Sequence, residues 1–523
     1  MPLEVDIVIS PEKLNEDSSI IQALHQKVGG LNIESYKIIK RSIDARQSQI
    51  KYQLRVEVFQ KGEKTSVADN NVLSVTDVSN SKKSVVIIGS GPAGLFAAIR
   101  CIELGMKPIV IERGKKVRER RRDLAAINKE HIVNPESNYC FGEGGAGTYS
   151  DGKLYTRSTK RGDVQSVLKK FVHFGASEDI LIDAHPHIGT NKLPAIIEAM
   201  RDFIISFGGE IHFNTKVVDM NLKDNRITSV KCSDGREING DDFILATGHS
   251  ARDIFILLDR KKILIEFKSF ALGVRAEHRQ SIIDQAMYRC EERPDFLPPA
   301  AYSLVEQVDG RGVYSFCMCP GGIIAPCATE QDEVVTNGWS PSKRNNPWAN
   351  SGIVVPVHWE DIPEYHHHGA LAGMMFQKDV EQKCWEAAGK TQATPAQRMM
   401  DFVNNKLSKD LPEVSYQPGI VSIKLDEVLP AFIAERLRKG FVLFGKKMKG
   451  YYTNDAVLVA PESRTSSPVR IPRDKELYHH PEIINLYPCG EGAGYAGGIV
   501  SAAIDGEKLA AAILKKNSPR ILQ

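Results

Sequence analysis

The chain has 523 residues and a mass of 58.0 kDa, and at roughly 150 residues per domain it is expected to form two to four domains. Its 68 Lys and Arg residues almost balance its 65 Asp and Glu residues, so the net charge of +3 disfavours wholesale electrostatic binding of nucleic acid. No stretch approaches the roughly 20 apolar residues that a membrane span needs, which excludes a transporter and predicts no membrane partner. The nine cysteines include no C-x-x-C pair and the first residues show no secretory pattern, so a reduced, cytoplasmic protein is expected.

Residues 1–80 are predicted to form a small separate module. Three strand-like alternations and one helical pattern give it a βαββ order, at 3–9, 18–28, 36–43 and 50–59. Nothing in this segment suggests catalysis. We therefore expect a structural appendage, with partner docking or oligomerisation through this module as the alternative.

A buried strand, a glycine-rich turn and a helix follow one another in the next segment. The continuous apolar run at 85–88 predicts a strand that is buried on both faces of a parallel sheet. It leads into Gly89-Ser-Gly-Pro-Ala-Gly94, then into a helical pattern that ends near Gly105, and a second buried strand finishes at Glu112. A G-x-G-x-x-G turn in this context predicts a dinucleotide-binding site.

Each glycine of this turn has a physical role in such a site. Gly89 permits the tight turn, Gly91 lets the backbone approach a pyrophosphate, and Gly94 lets the helix pack close to the sheet. The helix N-terminus offers free N–H groups and a partial positive charge to the phosphates. Glu112 is placed to accept both hydroxyls of an adenosine ribose, and its charge disfavours the 2′-phosphate of NADP.

A second G-x-G-x-x-G match, at 142–147, lacks this context, because no buried strand precedes it and no helical pattern follows it. Its glycines would still let the backbone come close to a ligand. The loop 141–154 is therefore expected beside the cofactor, and the alternative is a tight loop with a purely structural role.

Two remote segments favour FAD over NAD as the dinucleotide. The strand-like run 242–248 ends in Ala246-Thr-Gly, which brings a second tight strand end beside the ligand. Gly490-Glu491 precedes a glycine-rich helix start near 497–500, and a helix N-terminus there would face the flavin edge where reduction deposits negative charge. FAD is the predicted cofactor, with NAD(P)H left open as a transient electron donor.

The turn at 85–94 with Glu112, the Ala246-Thr-Gly segment and Gly490-Glu491 resemble the three FAD fingerprints of a flavoprotein superfamily. This is the glutathione-reductase-like, two-dinucleotide-binding superfamily. More narrowly, the motifs at 141–154, 246–253, 462–470 and 488–498 resemble a bacterial family labelled FAD-dependent dehydrogenases, a label that names no substrate. The resemblance implies that the last fingerprint contacts the pyrophosphate and ribitol of the flavin. In this chain Glu491 stands where an Asp is commoner.

The predicted fold class is α/β. A Rossmann-like FAD-binding domain, with a parallel sheet and helices, is expected from residues 81–250 together with 481–523. Residues 251–480 are expected to form an inserted α+β cap or substrate domain. The residues predicted to bind FAD are Gly89, Gly91, Pro92, Ala93, Gly94, Glu112, Arg113, Gly144, Gly145, Ala146, Thr148, Ala246, Thr247, Gly248, Gly490, Glu491, Gly498 and Ile499.

Four side chains are candidates for the chemistry: His249, Arg252, Asp151 and Arg464. His249 and Arg252 follow a strand end, where ligands collect in open α/β sheets, and a histidine can exchange a proton near neutral pH. Capping of the next helix, or another structural role, is the alternative for His249. Asp151 lies in the glycine-rich loop, and Arg464 suits an anionic substrate or the flavin edge, with a structural salt bridge as its alternative.

Three other clusters are interpreted as structural. The histidines at 366–368 and 479–480 lack the spaced ligands of a metal centre, so no metal site is predicted. Cys317-Met-Cys319 lacks the dithiol spacing of a disulfide reductase, which disfavours thiol chemistry. The basic run 115–122 directly follows the acid at 112, and a solvated helix near the cofactor is favoured over an RNA contact.

The predicted function is that of a FAD-dependent oxidoreductase, a dehydrogenase or reductase, that transfers a hydride to or from flavin N5 with a small-molecule substrate. No second strand–GxGxxG–helix unit is visible, so a nicotinamide would bind only transiently in the cap. The alternatives are a flavin-dependent tRNA-modifying protein, a FAD-binding interaction protein without turnover, and an NAD-linked dehydrogenase without flavin.

Overall fold

The computed structural model describes residues 2–29, 31–46, 49–63, 72–156 and 162–517. Its first elements follow the predicted βαββ order: β1 (Leu3–Ile9), α1 (Asp17–Val28), β2 (Ile33–Asp44) and β3 (Lys51–Gln60). The strands form an antiparallel sheet in the order β1-β3-β2. The alternation in β1 buries Val5 and Ile7 against Ile20 and Leu24 of α1, so the module has a small core of its own.

A parallel sheet with flanking helices begins after this module. Its elements as far as residue 260 are, in chain order, β4 (Ser84–Ile88), α2 (Pro92–Glu103), β5 (Lys107–Ile111), α3 (Val117–Glu130), α4 (Val164–His173), α5 (Leu193–Ser206), β6 (Glu210–His212), β7 (Val217–Lys223), β8 (Arg226–Cys232), β9 (Glu237–Asn239), β10 (Asp242–Leu245) and α6 (Arg252–Arg260).

The chain then forms a second, larger region before it returns to the parallel sheet. Its elements are β11 (Glu266–Phe267), β12 (Phe270–Arg279), α7 (Gln280–Tyr288), β13 (Val305–Val308), β14 (Arg311–Cys319), β15 (Ile323–Pro326), β16 (Thr336–Trp339), β17 (Trp348–Val357), α8 (Ala372–Ala387), β18 (Thr394–Arg398), α9 (Met399–Val403), β19 (Ile420–Ser422), α10 (Ala431–Lys447), β20 (Val457–Glu462) and β21 (Val469–Arg470). The final elements, β22 (Leu486–Pro488) and α11 (Ile499–Asn517), belong to the first sheet and its helices.

The first sheet has the strand order β22-β10-β4-β5-β6, and every neighbouring pair is parallel. Val85 and Ile87 of β4 pack into the core on one face, while Val86 and Ile88 pack into the core on the other face. Both faces are therefore covered, which confirms the interpretation of the apolar run in β4 and the predicted α/β fold class.

The second region contains a seven-stranded sheet in the order β13-β14-β17-β12-β20-β18-β19, antiparallel except for its last pair. Leu437, Phe441 and Phe444 of α10 pack against Val274 and Ile353 of this sheet. The region is of the α+β type that the sequence predicts. None of the helices in the described residues combines the length and apolar composition that crossing a bilayer requires.

Candidate active site

Three segments that are remote in sequence converge at the carboxyl ends of β4, β10 and β22. A Cβ added to Gly89 would lie 2.4 Å from the carbonyl oxygen of Ala246, so the turn after β4 and the end of β10 touch through their backbones. A Cβ added to Gly490 would lie 3.0 Å from the Cβ of Ala93, which brings the end of β22 against the start of α2. The fold therefore builds one site from all three.

A cavity of about 450 Å³ opens where these segments meet. Most residues that the sequence predicts for the cofactor lie on its wall: Gly89, Gly91, Pro92, Ala93, Glu112, Arg113, Gly145, Ala146, Ala246, Thr247, Gly248, Gly490, Glu491, Gly498 and Ile499. Their individual contacts with a cofactor stay predictions.

Three predicted residues do not line the cavity and instead shape its wall from behind. A Cβ at Gly94 would lie 1.9 Å from the Gly89 carbonyl oxygen, so this glycine allows α2 to sit close to the turn. A Cβ at Gly144, whose φ is +78°, would lie 2.1 Å from the Thr148 hydroxyl oxygen. The Thr148 hydroxyl is buried and donates to the Glu143 carbonyl oxygen at 2.6 Å.

The cavity offers backbone N–H groups and open space for an anionic group. Helices α2 and α11 begin at its wall, so two partially positive N-termini face the same volume. An added Cβ would meet no atom within 4 Å at Gly497 or Gly498, and only the Gly145 Cα, at 4.0 Å, at Gly91. Bare backbone at these positions fits the pyrophosphate of a dinucleotide.

Glu112 lines the cavity, and its carboxylate organises the surrounding backbone. Its Oε2 accepts hydrogen bonds from the N–H and the hydroxyl of Ser90, at 3.0 and 2.8 Å. Its Oε1 accepts from the N–H groups of Gly114 and Gly142, at 2.9 and 3.0 Å. The acid thus joins the dinucleotide turn to the loop near 142, a role that the sequence interpretation missed; its contact with a ribose stays a prediction.

Arg120 organises that same loop from the other side. It is fully buried, and its guanidinium donates to the carbonyl oxygens of Asn138 (2.7 Å), Tyr139 (2.8 Å) and Glu143 (2.9 Å). The basic run 115–122 therefore contains one structural cation among solvated neighbours. The helical pattern itself indicates that Arg120 is buried, because position 120 falls on the same face of α3 as the buried positions 117, 124 and 127.

His249 lies on the cavity wall next to Glu491. Its Nδ1 is 3.4 Å from Glu491 Oε1, and both side chains are partly exposed to the cavity. Ala251 stands at the N-cap position of α6, and no side chain makes a capping hydrogen bond there, so His249 does not cap this helix. The pairing of an imidazole with a carboxylate can hold and move a proton.

Arg252 and Arg464 belong to a buried ion cluster with Glu333 and Glu381. Arg252 bonds both glutamates, and Arg464 Nη2 lies 2.6 Å from Glu333 Oε2 and 2.9 Å from Glu381 Oε2. Although burial opposes the charge, the two arginines lower the pKa of Glu381 to about 2. Arg252, a candidate for the chemistry, does not lie on the cavity wall. Arg464 does line the cavity, but its donors are engaged in the cluster. This arrangement is the structural salt bridge that is the alternative for Arg464.

Asp151 lines the opposite part of the cavity and is almost completely buried. Its carboxylate lies 3.7 Å from Lys153 Nζ and 3.5 Å from an Nη of Arg344. Within the described residues, neither carboxylate oxygen has a hydrogen-bond partner. Lys153 itself reaches across to β14, where it donates to the carbonyl oxygen of Met318. This contact between the loop and β14 has no signal in the local sequence.

This fold and this cavity define a dinucleotide-binding protein, and comparison with known families identifies the dinucleotide. Residues 84–121 match the model of a FAD binding domain, and 269–465 match the family described as "FAD-dependent protein, C-terminal domain-like". Residues 1–59 match a domain of unknown function. The chain is a FAD-dependent flavoprotein, and its cofactor is FAD.

The chain also matches a whole protein along nearly its full length. A protein of Clostridium beijerinckii, described as uncharacterized, is 39% identical over 502 residues, which is 93% of each chain. The chain belongs to the family of that protein.

Solved structures resemble the chain only distantly. The crystal structure of CtdE in complex with FAD is 13% identical, with a TM-score of 0.34 over 82% of this chain and 84% of that one. A geranylgeranyl bacteriochlorophyll reductase-like protein from Thermoplasma acidophilum is 11% identical, with a TM-score of 0.35 over 83% and 78%. Likeness at this level identifies no substrate and no reaction.

Proposed function

We propose that this flavoenzyme is an oxidoreductase that transfers a hydride between FAD and a small organic molecule. The observation that carries the proposal is the extent of the cavity, which continues from the dinucleotide turn onto side chains of the second region. These side chains are Phe316, Cys317, Val335, Asn337, Trp339 and Arg464. When bound, FAD supplies the redox chemistry, because its N5 accepts or donates a hydride.

The residues of the convergent wall would hold the cofactor. The bare backbone at Gly91 and the start of α2 suit the pyrophosphate, and the start of α11 at Ile499 suits the flavin edge that gains negative charge. Glu112 and Arg113, after β5, suit the adenosine half. These assignments rest on the position of each residue along the cavity wall.

Aromatic side chains line part of the cavity and would limit the access of water there. Tyr139 and Trp339 are buried, and their ring centroids lie 4.6 Å apart. Tyr149 meets Tyr139 edge to face at 6.4 Å. Partial exclusion of water favours hydride transfer over side reactions with solvent.

His249 and Glu491 would handle the proton that accompanies the reaction. With Nδ1 facing Glu491 Oε1 at 3.4 Å, His249 keeps Nε2 for a substrate oxygen or nitrogen. Glu491 would hold the orientation of the imidazole ring. The substrate is proposed to be a small molecule, since the cavity of about 450 Å³ is bounded by two parts of one chain.

The proposal is tested by anaerobic titration of the purified yellow protein with NADH, NADPH and a panel of organic donors, followed by the absorbance of oxidised flavin. We expect one donor class to bleach the flavin rapidly, and His249→Gln to slow turnover while flavin occupancy stays unchanged. Two results together would contradict the proposal. In the first, no donor bleaches the flavin, and in the second, dithionite-reduced protein passes electrons to added acceptors no faster than free flavin does. The protein would then not be an oxidoreductase.

A further inference from the structure

Two thiols and one ammonium group meet at the edge of the cavity that is formed by the second region. Lys153 Nζ lies 3.8 Å from Cys317 Sγ and 3.7 Å from Cys319 Sγ. Cys317 lines the cavity and is partly exposed, whereas Cys319 is buried behind it. Cys317 therefore borders the cavity, whereas Cys319 does not, and both thiols lie within 4 Å of the same ammonium group.

The backbone of β14 is distorted at this point. The pairing of β14 with β17 loses its regular register between Phe316 and Cys319, and Cys317 adopts a φ of +48°, in the left-handed region that side chains rarely occupy. The bulge places the Cys317 side chain on the cavity wall while Cys319 stays in the strand.

The electrostatic surroundings favour a thiolate at Cys317. The pKa of Cys317 is lowered by the neighbouring Cys319 thiol and by the cations of Lys153 and Arg275, although burial opposes the charge. The Cys319 thiol itself donates to the carbonyl oxygen of Cys317 at 3.3 Å. The pKa of Cys319 is correspondingly raised. The titratable or charged groups that face this thiolate are Cys319, Lys153, Arg275, Asp151 and Glu462.

We propose that Cys317 and Cys319 form a redox-active dithiol that reacts with a small-molecule disulfide admitted to the cavity. An accessible sulfur with a buried neighbour is the arrangement that thiol–disulfide exchange requires, and a C-x-C spacing supplies it here without a C-x-x-C motif. This is an activity beyond hydride transfer, and its readouts below need no turnover by the flavin.

The exchange proceeds in two balanced steps. The Cys317 thiolate attacks one sulfur of the disulfide R–S–S–R, a mixed disulfide forms at Cys317, and RS⁻ leaves. Cys319 then attacks the Cys317 sulfur as its proton passes to the departed RS⁻, the mixed bond breaks, and a second RS⁻ leaves. The protein dithiol is oxidised by two electrons, the small disulfide is reduced by two electrons, and Lys153 remains protonated throughout.

The first test measures the reactivity of Cys317 directly. The native holoprotein is treated with iodoacetamide across a pH series, and peptide mass mapping gives the alkylation rate at each cysteine. Cys290, partly exposed and outside the cavity wall, is the internal reference. We expect the midpoint for Cys317 to lie at least about one pH unit below that of Cys290, which is a tenfold difference in thiolate population.

Variants at Lys153 identify the cause. Lys153→Met should raise the midpoint of Cys317, and Lys153→Arg should restore it, because only the charge is shared by Lys and Arg. If Cys317 has the same midpoint as Cys290, or does not react at any pH, the thiolate site is overturned.

The second test distinguishes a dithiol from a single reactive thiol. We expect 2-hydroxyethyl disulfide to convert the native protein to a form lighter by two hydrogens, with the loss mapped to the peptide that contains Cys317 and Cys319. Cys319→Ser should stop at a mixed disulfide on Cys317, and Cys317→Ser should form neither product. Native protein that forms only the mixed disulfide, or no product, would overturn the dithiol.

Discussion

At the scale of single residues, the absence of a side chain at Gly91 leaves space in the cavity where the pyrophosphate is proposed to bind. The φ of Gly91 is −71°, and an added Cβ would meet only the Gly145 Cα at 4.0 Å, so valine suits the backbone there. The valine methyl groups would then fill the space between two glycines that both line the cavity. We therefore expect valine to take space from the ligand without unfolding the protein.

We expect Gly91→Val to yield folded protein that binds FAD about 5- to 150-fold more weakly, as overpacking by about 1–3 kcal/mol implies. The ratio of flavin to protein absorbance after gel filtration measures the effect. Gly312→Val in β14 is the matched control, since its nearest neighbours to an added Cβ lie 3.8 Å away and it does not line the cavity. Full occupancy in Gly91→Val would contradict the assigned pyrophosphate position.

A buried carboxyl in the second region gives a pH-dependent prediction. Burial raises the pKa of Glu277 to about 7, against hydrogen bonds from Ser415 and the nearby Arg275 and Arg279. Because the folded-state pKa exceeds the unfolded one, Glu277 contributes stability that is complete below about pH 4.5 and is lost as the pH rises through about 7.

As the pH rises from 5 to 8, the free energy of unfolding of Glu277→Gln should therefore increase relative to that of the unchanged protein by about 1–3 kcal/mol. Urea denaturation at both pH values measures the difference. Glu360→Gln, at an exposed carboxyl, should show no such trend. A difference that is the same at both pH values would show that Glu277 is ionised throughout.

At the scale of elements, α3 shows where a sequence pattern was sufficient and where it was not. The charge pattern at 115–122 predicts a solvated helix, and most of the cations in this run are exposed. Arg120 is the exception, because the helical period places it between Val117 and Leu124 on the buried face. Which backbone carbonyls it would meet could not be predicted, since they come from a loop without any periodic pattern.

Arg120→Met should keep α3 in place but release the loop 138–149 that forms part of the cavity wall. Three hydrogen bonds to loop carbonyls would be lost, each worth about 1.5–3 kcal/mol when the donor is charged. We expect faster cleavage of the loop in limited proteolysis and partial loss of FAD. Arg122→Met, on the exposed face of the same helix, should change neither quantity.

At the scale of the whole molecule, the buried cluster of Arg252, Arg464, Glu333 and Glu381 joins the two regions. Arg252 begins α6 beside the parallel sheet, whereas Glu381 lies in α8 and Arg464 follows β20. Removing one carboxylate leaves two buried cations with half of their counter-charge.

We expect Glu381→Gln to lower the free energy of unfolding by about 3 kcal/mol or more. Glu330→Gln, which breaks a partly exposed pair with Lys378, should cost less than about 1 kcal/mol. Thermal unfolding of both variants with bound FAD gives the comparison. Equal midpoints would mean that the cluster does not hold the two regions together.

The global architecture was largely predictable, because strand, turn and helix patterns in β4, α2 and β5 are local. The approach of Gly490 to Ala93 was predictable too, since both positions belong to motifs with a shared ligand. The contact of Lys153 with Cys317 was not, because 164 positions separate them and neither lies in a motif that specifies the other. Long-range polar contacts of this kind are fixed by the tertiary fold alone.

The distribution of the cavity wall along the chain has a consequence for synthesis. Strand β22 and the start of α11 complete the wall, yet more than two hundred residues separate them from β10, their neighbour in the sheet. A nascent chain that has left the ribosome only as far as β20 still lacks this part of the wall. If these residues hold FAD as proposed, we expect the coenzyme to be captured only after translation has passed α11.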